Sequence, residues 1–409
     1  MMSDRLRVLA VCHEDPAHIL GGMGMHVREL YRAMGARGDV EIDLLTSGPG
    51  EGSQPYFPGF TRHMSDKLIC FKPREPNLAA LLSADIQLTK TFTRLLAEGR
   101  RWDVLHVHEW NSLQVARLIR DTLDLPMVGT MHLCMTKLAA GDKVENYSEG
   151  HLYMLTQEGA LVCGSDELIL CSRAYERIAR EQFHTNRPIN VIYNGIRRDE
   201  WCRDRGVGVR ATAKHNIPPR QIVLFVGRIA DMKGIRVLLD AIERDDSGKR
   251  CYVIAGAVNS DSKEQGEKWD VTVRLREIEK RHPNRLRWVD FQYGQDLLDL
   301  YARADVGVMP SIHEPFGIAA LEHMAMGVPL VATEVDGLGE IVCDGEGGEY
   351  ALIIPPSDPG AILEALDVLE DKSRRRELRE LGLKRVQAFN WDTVADQTVS
   401  VYKKVTRRA

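Results

Sequence analysis

Two series of short apolar runs, each run followed by a stretch with helical spacing, constrain this chain more than any other feature. The first series holds LRVLAVC (6–12), VEIDLLT (40–46), KLICF (67–71), DVLHVH (103–108), MVGTMH (127–132), ELILCS (167–172) and NVIYN (190–194). The second holds QIVLFVG (221–227), CYVIAG (251–256), RLRWVDF (285–291), DVGVMP (305–310), PLVAT (329–333) and YALIIP (350–355). Short runs of this kind, bounded by turn residues, suit strands of a parallel sheet buried on both faces. Their alternation with amphipathic helices is the α/β pattern. Each series can therefore close its own doubly wound, Rossmann-like sheet. A length of 409 residues also exceeds what one hydrophobic core usually supports, so two domains and a cleft are expected.

Between the series, the stretch from Asn194 to Gly208 is polar and charged without sustained periodicity, which places the domain junction there. Helical spacing takes over after Pro359 and continues through FNWDTVADQTVSVYKKV (389–405). The stretch NSDSKEQGEKWD (259–270) reads as a solvated surface loop. A formal net charge of -5 argues against a long polyanion such as nucleic acid, while leaving room for a local basic patch on a small phosphorylated ligand. No run of about 18 apolar residues is present to span a membrane, and no apolar leader precedes the first strand. The eight cysteines are scattered without a CxxC pair, and no histidine cluster has metal-ligand spacing. They read as reduced core thiols of a cytoplasmic protein.

Four places carry chemistry. Gly21, Gly22 and Gly24 follow the opening strand and lead into a helix, where backbone can approach a ligand and the helix N-terminus offers N–H groups. The spacing is not GxGxxG, so no dinucleotide cofactor is advertised, and a plain tight turn reads equally well. His106, His108 and His132 stand at the carboxyl ends of two strands, the ligand side of an open α/β sheet. A packed, hydrogen-bonded histidine is the competing reading for each. In VGRIADMKG (226–234), Arg228 ends a strand and Lys233 precedes a helix, so both cations can reach one diphosphate, although surface pairs of this kind are common. The strongest signal is SIHEPFGI with Glu322 beyond it: Glu314 lies at a strand–helix turn, Phe316, Gly317 and Ile318 at the helix start, and Glu322 inside the helix. One carboxylate can then take hydrogen bonds from sugar hydroxyls and the other from a ribose.

With the hinge VIYNGI (191–196) and the closing FNWDTVADQTVSVY (389–402), these residues resemble in order and spacing the retaining GT-B glycosyltransferases, glycosyl transferases group 1, which include bacterial mannosyltransferases and relatives of sucrose and glycogen synthases. The resemblance implies two facing Rossmann-like domains with a final helix crossing back: an acceptor-side domain over 1–197 plus 389–409, and a nucleotide-sugar domain over 198–388. It implies that Arg228 and Lys233 grip the diphosphate, Glu314 the transferred sugar and Glu322 the ribose. Backbone N–H groups of Phe316, Gly317 and Ile318 would add to this, with Gly21 and Gly22 approaching from the other domain. His132 would sit beside the anomeric carbon.

The expected function is transfer of a hexose or N-acetylhexosamine from a nucleotide sugar, UDP being the commonest in the family, to a hydroxyl of a small molecule or glycan, with retention and with no metal or other cofactor. Two alternatives share the fold, a sugar-nucleotide epimerase and a non-catalytic nucleotide-sugar-binding protein. Two departures stand out. Ile19 takes the place of the lysine that glycogen and starch synthases carry before the glycine pair, and Arg197 that of the usual aspartate in the hinge. The acidic residues Asp142, Glu145, Glu149 and Glu158 suit either a cationic acceptor or a solvated surface.

Overall fold

The structure, a computed structural model, describes residues 5–19, 21–48, 52–65, 78–139, 148–257, 266–345 and 347–407. The chain divides into two compact units, Met1–Asn194 with Trp391–Ala409, and Gly195–Asn390.

The first unit contains β1 (Leu6–Glu14), β2 (Val40–Ser47), β3 (Gly52–Phe57), β4 (Phe60–Ser65), β5 (Val104–His108), β6 (Met127–Met131), β7 (Glu167–Leu170) and β8 (Ile189–Val191). They form one sheet in the order β3-β4-β2-β1-β5-β6-β7-β8. Every pair is parallel except β3 with β4. Alternate residues of β1 face opposite cores. Val8, Ala10 and Cys12 pack under the helices Gly22–Ala36 and Trp391–Thr406, while Leu9 and Val11 pack under Leu78–Ala97 and Leu113–Leu123. The final helix buries Trp391, Val394, Val399 and Tyr402 in the first of these cores, so the chain closes on the unit with which it began.

The second unit contains β9 (Gln221–Val226), β10 (Arg250–Ala255), β11 (Leu286–Trp288), β12 (Val306–Met309), β13 (Leu330–Thr333) and β14 (Leu352–Ile354), in the order β11-β10-β9-β12-β13-β14. All five pairings are parallel. The strand order reverses between β9 and β12, which opens a crevice at the carboxyl ends of these two strands. Helical spacing after Pro359 becomes Pro359–Val368 and Lys372–Arg385, each started by an aspartate, Asp358 or Asp371, that accepts first-turn N–H bonds.

The structure adds one element and revises two sequence expectations. The hairpin β3–β4 was not anticipated, because GSQPYF and FTRHMS are polar and carry no apolar run. KLICF (67–71) lies outside the described residues. Of the expected loop 259–270, the last five residues already belong to the helix Gly266–Arg281, and the rest lies outside the described residues. The described cysteines are all free, but Cys163 is exposed rather than in a core.

The polar strand β4 is held by charge. Buried Asp43 on β2 accepts hydrogen bonds from His63 Nε2 at 2.6 Å, Arg100 at 2.8 Å and Trp102 Nε1 at 2.8 Å. Burial by itself would raise the Asp43 pKa, yet the hydrogen bond and charge of His63, with Trp102 and Arg100, hold it below the usual carboxylate value. Removing one member of such a buried group strands the others. Asp43→Ala is expected to cost about 3–5 kcal/mol, read as a fall in the denaturation midpoint of the first unit; a loss under about 1 kcal/mol, the scale of a surface pair, would contradict this account.

Candidate active site

In the second unit the site is built where the strand order reverses. The loop after β9 ends in the turn Asp231–Lys233, and the loop after β12 runs through Ser311 to the helix Ile318–Ala325. Two backbone bonds join them, Ile312 N to Met232 O at 2.8 Å and His313 N to Met232 O at 3.0 Å. At Gly234 (φ 68°) the approach is so close that a Cβ would stand 1.9 Å from the carbonyl oxygen of Pro310. Only glycine fits. The outcome is that Lys233 Nζ lies 2.5 Å from Glu314 Oε2, with the two side chains 17% and 7% exposed.

Glu314 is fixed through its backbone as well. Its N–H donates to Asp336 Oδ2 at 3.1 Å, and its carbonyl accepts from Gly337 N at 3.0 Å. Arg228 is half-buried and has no carboxylate partner among the described residues; its guanidinium lies 3.8 Å from Met232 Sδ. The helix that follows starts at Gly317 in the left-handed region (φ 104°), a residue with no side chain to cap the first-turn N–H groups at its positive end. Phe316 is buried and packs on Phe389.

Glu322 is held apart from the ion pair. Its Oε2 accepts from the Tyr301 hydroxyl at 2.7 Å, and burial raises its pKa to about 7 against the lowering effect of that bond. Sequence reasoning had no view of Tyr301 or Asp336, which come from other elements of the unit, or of the two backbone bonds that Met232 accepts within VGRIADMKG.

In the first unit the carboxyl ends of β1, β5 and β6 carry Gly21, Gly22 and His132. Glu14 Oε1 accepts from Gly21 N at 2.9 Å, and a Cβ at Gly24 would stand 2.4 Å from the same oxygen. The glycine loop is thus shaped at least partly by Glu14. His106 is sealed in the interior, hydrogen-bonded to Thr130 Oγ1 at 2.7 Å, Tyr31 at 2.9 Å and Tyr402 at 2.6 Å. For this histidine the packed reading holds. His108 bonds Tyr31 through Nε2 at 2.7 Å and His132 Nε2 through Nδ1 at 3.2 Å.

His132, just beyond β6, is half-buried. Burial first, then neighbouring imidazoles, pushes its pKa well below the ordinary histidine value, so the ring is neutral at pH 7. Its position depends on Glu109, whose Oε2 accepts from the N–H groups of His132 and Leu133 at 3.0 and 3.2 Å. Burial, followed by the charge of Glu158, raises Glu109 to about 8. Glu158 is a correction to the acidic-surface expectation: it is fully buried and accepts from Met135 N at 2.6 Å and Thr136 N at 2.8 Å. Asp142 and Glu145 lie outside the described residues, and Glu149 opens a helix on the surface.

Two doubly wound sheets of this order, one with a cation–carboxylate pair at its switch point, define a glycosyltransferase of GT-B type. Residues 210–385 match the family model of the glycosyl transferases group 1, and residues 21–195 match that of the glycosyl transferase 4-like domain. The chain is 29% identical to the glycogen synthase of Mycobacterium tuberculosis over 98% of this chain and 95% of that protein. Among solved structures it superposes on sucrose-phosphate synthase from Thermosynechococcus elongatus with a TM-score of 0.80 at 24% identity, covering 99% and 100% of the two chains. It also superposes on Anabaena HepE, solved in complex with UDP-glucose, with a TM-score of 0.71 at 16% identity over 98% and 100%. No helix among the described residues is long and apolar enough to cross a membrane.

The raised pKa of Glu322 has a testable sign. A carboxyl with a pKa near 4.5 when unfolded and about 7 when folded favours the folded state below pH 4.5 and loses that contribution as pH rises toward 7. Glu322→Gln keeps an acceptor for Tyr301 without the charge. The variant is therefore expected to gain stability over the wild type between about pH 5 and pH 8, on the order of 2–3 kcal/mol, in parallel thermal melts. A difference that stays flat across that window would show that Glu322 ionises freely.

Proposed function

We propose that this glycosyltransferase moves a hexose or N-acetylhexosamine from a UDP-linked donor to a hydroxyl of a small metabolite or glycan, with retention of anomeric configuration and without a metal ion. The observation that carries the reading is the Lys233–Glu314 pair at the switch point of β9 and β12, with Arg228 on the same loop as Lys233 and without a carboxylate partner among the described residues.

As the glycosidic bond breaks, the departing nucleotide diphosphate gains negative charge, and the protein must already have positive charge in place. An ammonium carries three donors. Lys233 can therefore keep its bond to Glu314 while giving others to phosphate oxygens. Arg228 adds a planar fork, and the start of the helix at Gly317 and Ile318 adds N–H groups and the positive end of the helix dipole. Glu314 would hold hydroxyls of the transferred sugar. Glu322 would accept from the ribose with the oxygen that Tyr301 does not engage. Gly21, Gly22 and neutral His132 would be the first unit's contribution, His132 beside the anomeric carbon.

Retention follows if the acceptor hydroxyl attacks the face that the diphosphate leaves. The leaving phosphate oxygen then takes the hydroxyl proton, and no enzymic nucleophile is needed. The UDP preference is supported by HepE, which was solved with UDP-glucose. Ile19, in place of a lysine before Gly21, speaks for a small acceptor over a growing glucan. Retention of the whole set Arg228, Lys233, Glu314 and Glu322 speaks against a binding protein without activity.

Turnover with the best nucleotide sugar is expected to survive excess EDTA. Arg228→Ala and Lys233→Ala should each cost at least about 3 kcal/mol of transition-state stabilisation, with no rescue by Mg²⁺, and Glu314→Gln should lower kcat by about 100-fold. Loss of activity in EDTA that a divalent ion restores would overturn the metal-free mechanism. A fully active Glu314→Gln would remove that carboxylate from the site.

A further inference from the structure

Three histidines far apart in sequence meet in the first unit: His26 on the helix Gly22–Ala36, His108 at the end of β5 and His132 just beyond β6. One ring nitrogen from each lies within 4.8 Å of the others. We propose that His26, His108 and His132 form a binding site for one transition-metal ion, zinc in first place, with three imidazole ligands and an open fourth position.

The hydrogen bonds around the trio fix which nitrogens face inward. Asn194 Oδ1 accepts from His26 Nδ1 at 2.6 Å, leaving His26 Nε2 as a lone pair that is buried and has no hydrogen-bond partner. A polar chain orients His108: His106 Nε2 lies 2.7 Å from Thr130 Oγ1, His106 Nδ1 faces the hydroxyls of Tyr31 at 2.9 Å and Tyr402 at 2.6 Å, and the Tyr31 hydroxyl lies 2.7 Å from His108 Nε2. That geometry turns His108 Nδ1 toward His132, and a bound ion selects the tautomer in which His108 carries its proton on Nε2, donated to the Tyr31 oxygen. Such outer partners, an amide oxygen and a hydroxyl here, are what fix the tautomer of metal-ligating histidines.

The spacing also fits. Two nitrogens on one tetrahedral zinc, each at about 2.0–2.1 Å, stand about 3.3 Å apart, and His108 Nδ1 to His132 Nε2 is 3.2 Å. His132 needs only to carry its proton on Nδ1 instead of Nε2. His26 closes the set by a small movement of its ring, which already stands edge-on to His132 with centroids 4.6 Å apart. No carboxylate belongs to the trio, so imidazole-preferring ions such as zinc, cobalt, nickel and copper are favoured over magnesium or calcium. Three imidazoles leave the fourth position of a tetrahedral ion open, and His132 is the half-buried member of the trio.

An ion bound here occupies His132 and so inhibits the transfer reaction rather than supporting it. That consequence rests on the proposed role of His132; the site itself does not. The test uses the full chain stripped of metal with EDTA and dialysed, with Co²⁺ as the probe. The expected result is one equivalent bound with the intense visible absorption of four- or five-coordinate cobalt, displaced by Zn²⁺. His26→Gln and His108→Gln should each weaken binding by at least about 100-fold, the upper end of what losing an outer partner alone costs. Because either variant could misfold, nitrogen-15 spectra of the unmodified protein give a second readout, in which one equivalent of Zn²⁺ should shift the imidazoles of these three residues and leave the other histidines in place. A pale octahedral cobalt spectrum, binding unaffected by His26→Gln, or zinc shifts at other histidines would overturn the site. Zinc inhibition that disappears in His26→Gln would extend it to the reaction.

Discussion

Lys233 meets Glu314 because two loops from neighbouring strands approach with no side chain between them. Gly234 against the carbonyl of Pro310, and Met232 O receiving two N–H bonds, bring together segments that are 81 positions apart. An ammonium and a carboxylate held this far from water attract strongly, but both lose hydration, so the pair adds little net stability. Its value is placement. Removing one partner leaves the other charged and buried, at a cost of about 3–5 kcal/mol, which makes the geometry difficult to lose once it has formed. Under the proposed mechanism, a cation fixed in advance at the switch point would undergo little reorganisation as a phosphate gained charge there, which is the condition for electrostatic catalysis.

The first unit solves a different problem. Its ligand-facing strand ends carry His106 and His108 on one face of β5, packed beneath two helices where apolar side chains would ordinarily lie. Buried imidazoles without partners would be costly. Tyr31 and Tyr402, from the helices that flank the chain's beginning and end, absorb most of that cost by bonding both rings, and burial keeps the rings neutral. The final helix therefore contributes a hydroxyl to the polar interior as well as covering it.

Much of this arrangement was legible in the sequence because it is periodic or local. Both parallel sheets could be read from runs such as VLAV and IVLF, whose short apolar blocks report burial on two faces. The loops VGRIADMKG and SIHEPFGI could be read because glycine, proline and charge at strand ends have few structural uses. The hairpin β3–β4 could not, since its strands are polar and depend on Asp43, His63, Arg100 and Trp102, a set scattered over 60 positions. Glu322 was visible as a helical glutamate, but its partner Tyr301 was not. The grouping of His26 with His108 and His132 has no spacing signature at all, because it is created by strand order.

The loops after β5 and β6 were the hardest to read for the same reason. Glu158 reads as a surface acid in sequence, yet it and Glu109 are buried, and Glu109 Oε2 and both oxygens of Glu158 accept from backbone N–H groups of the segment from His132 to Thr136. That segment follows β6 directly and has no strand partner beyond Met131, so its backbone donors need acceptors from elsewhere. Two carboxyls supply them, each raised in pKa by burial, and Glu109 does so from a backbone conformation with φ 68° that few non-glycine residues adopt. Strain and buried acid at one position are tolerated where a precise loop shape is needed. The placement of His132 is thus determined by two glutamates more than twenty positions away, a dependence that charge patterning along the chain does not reveal.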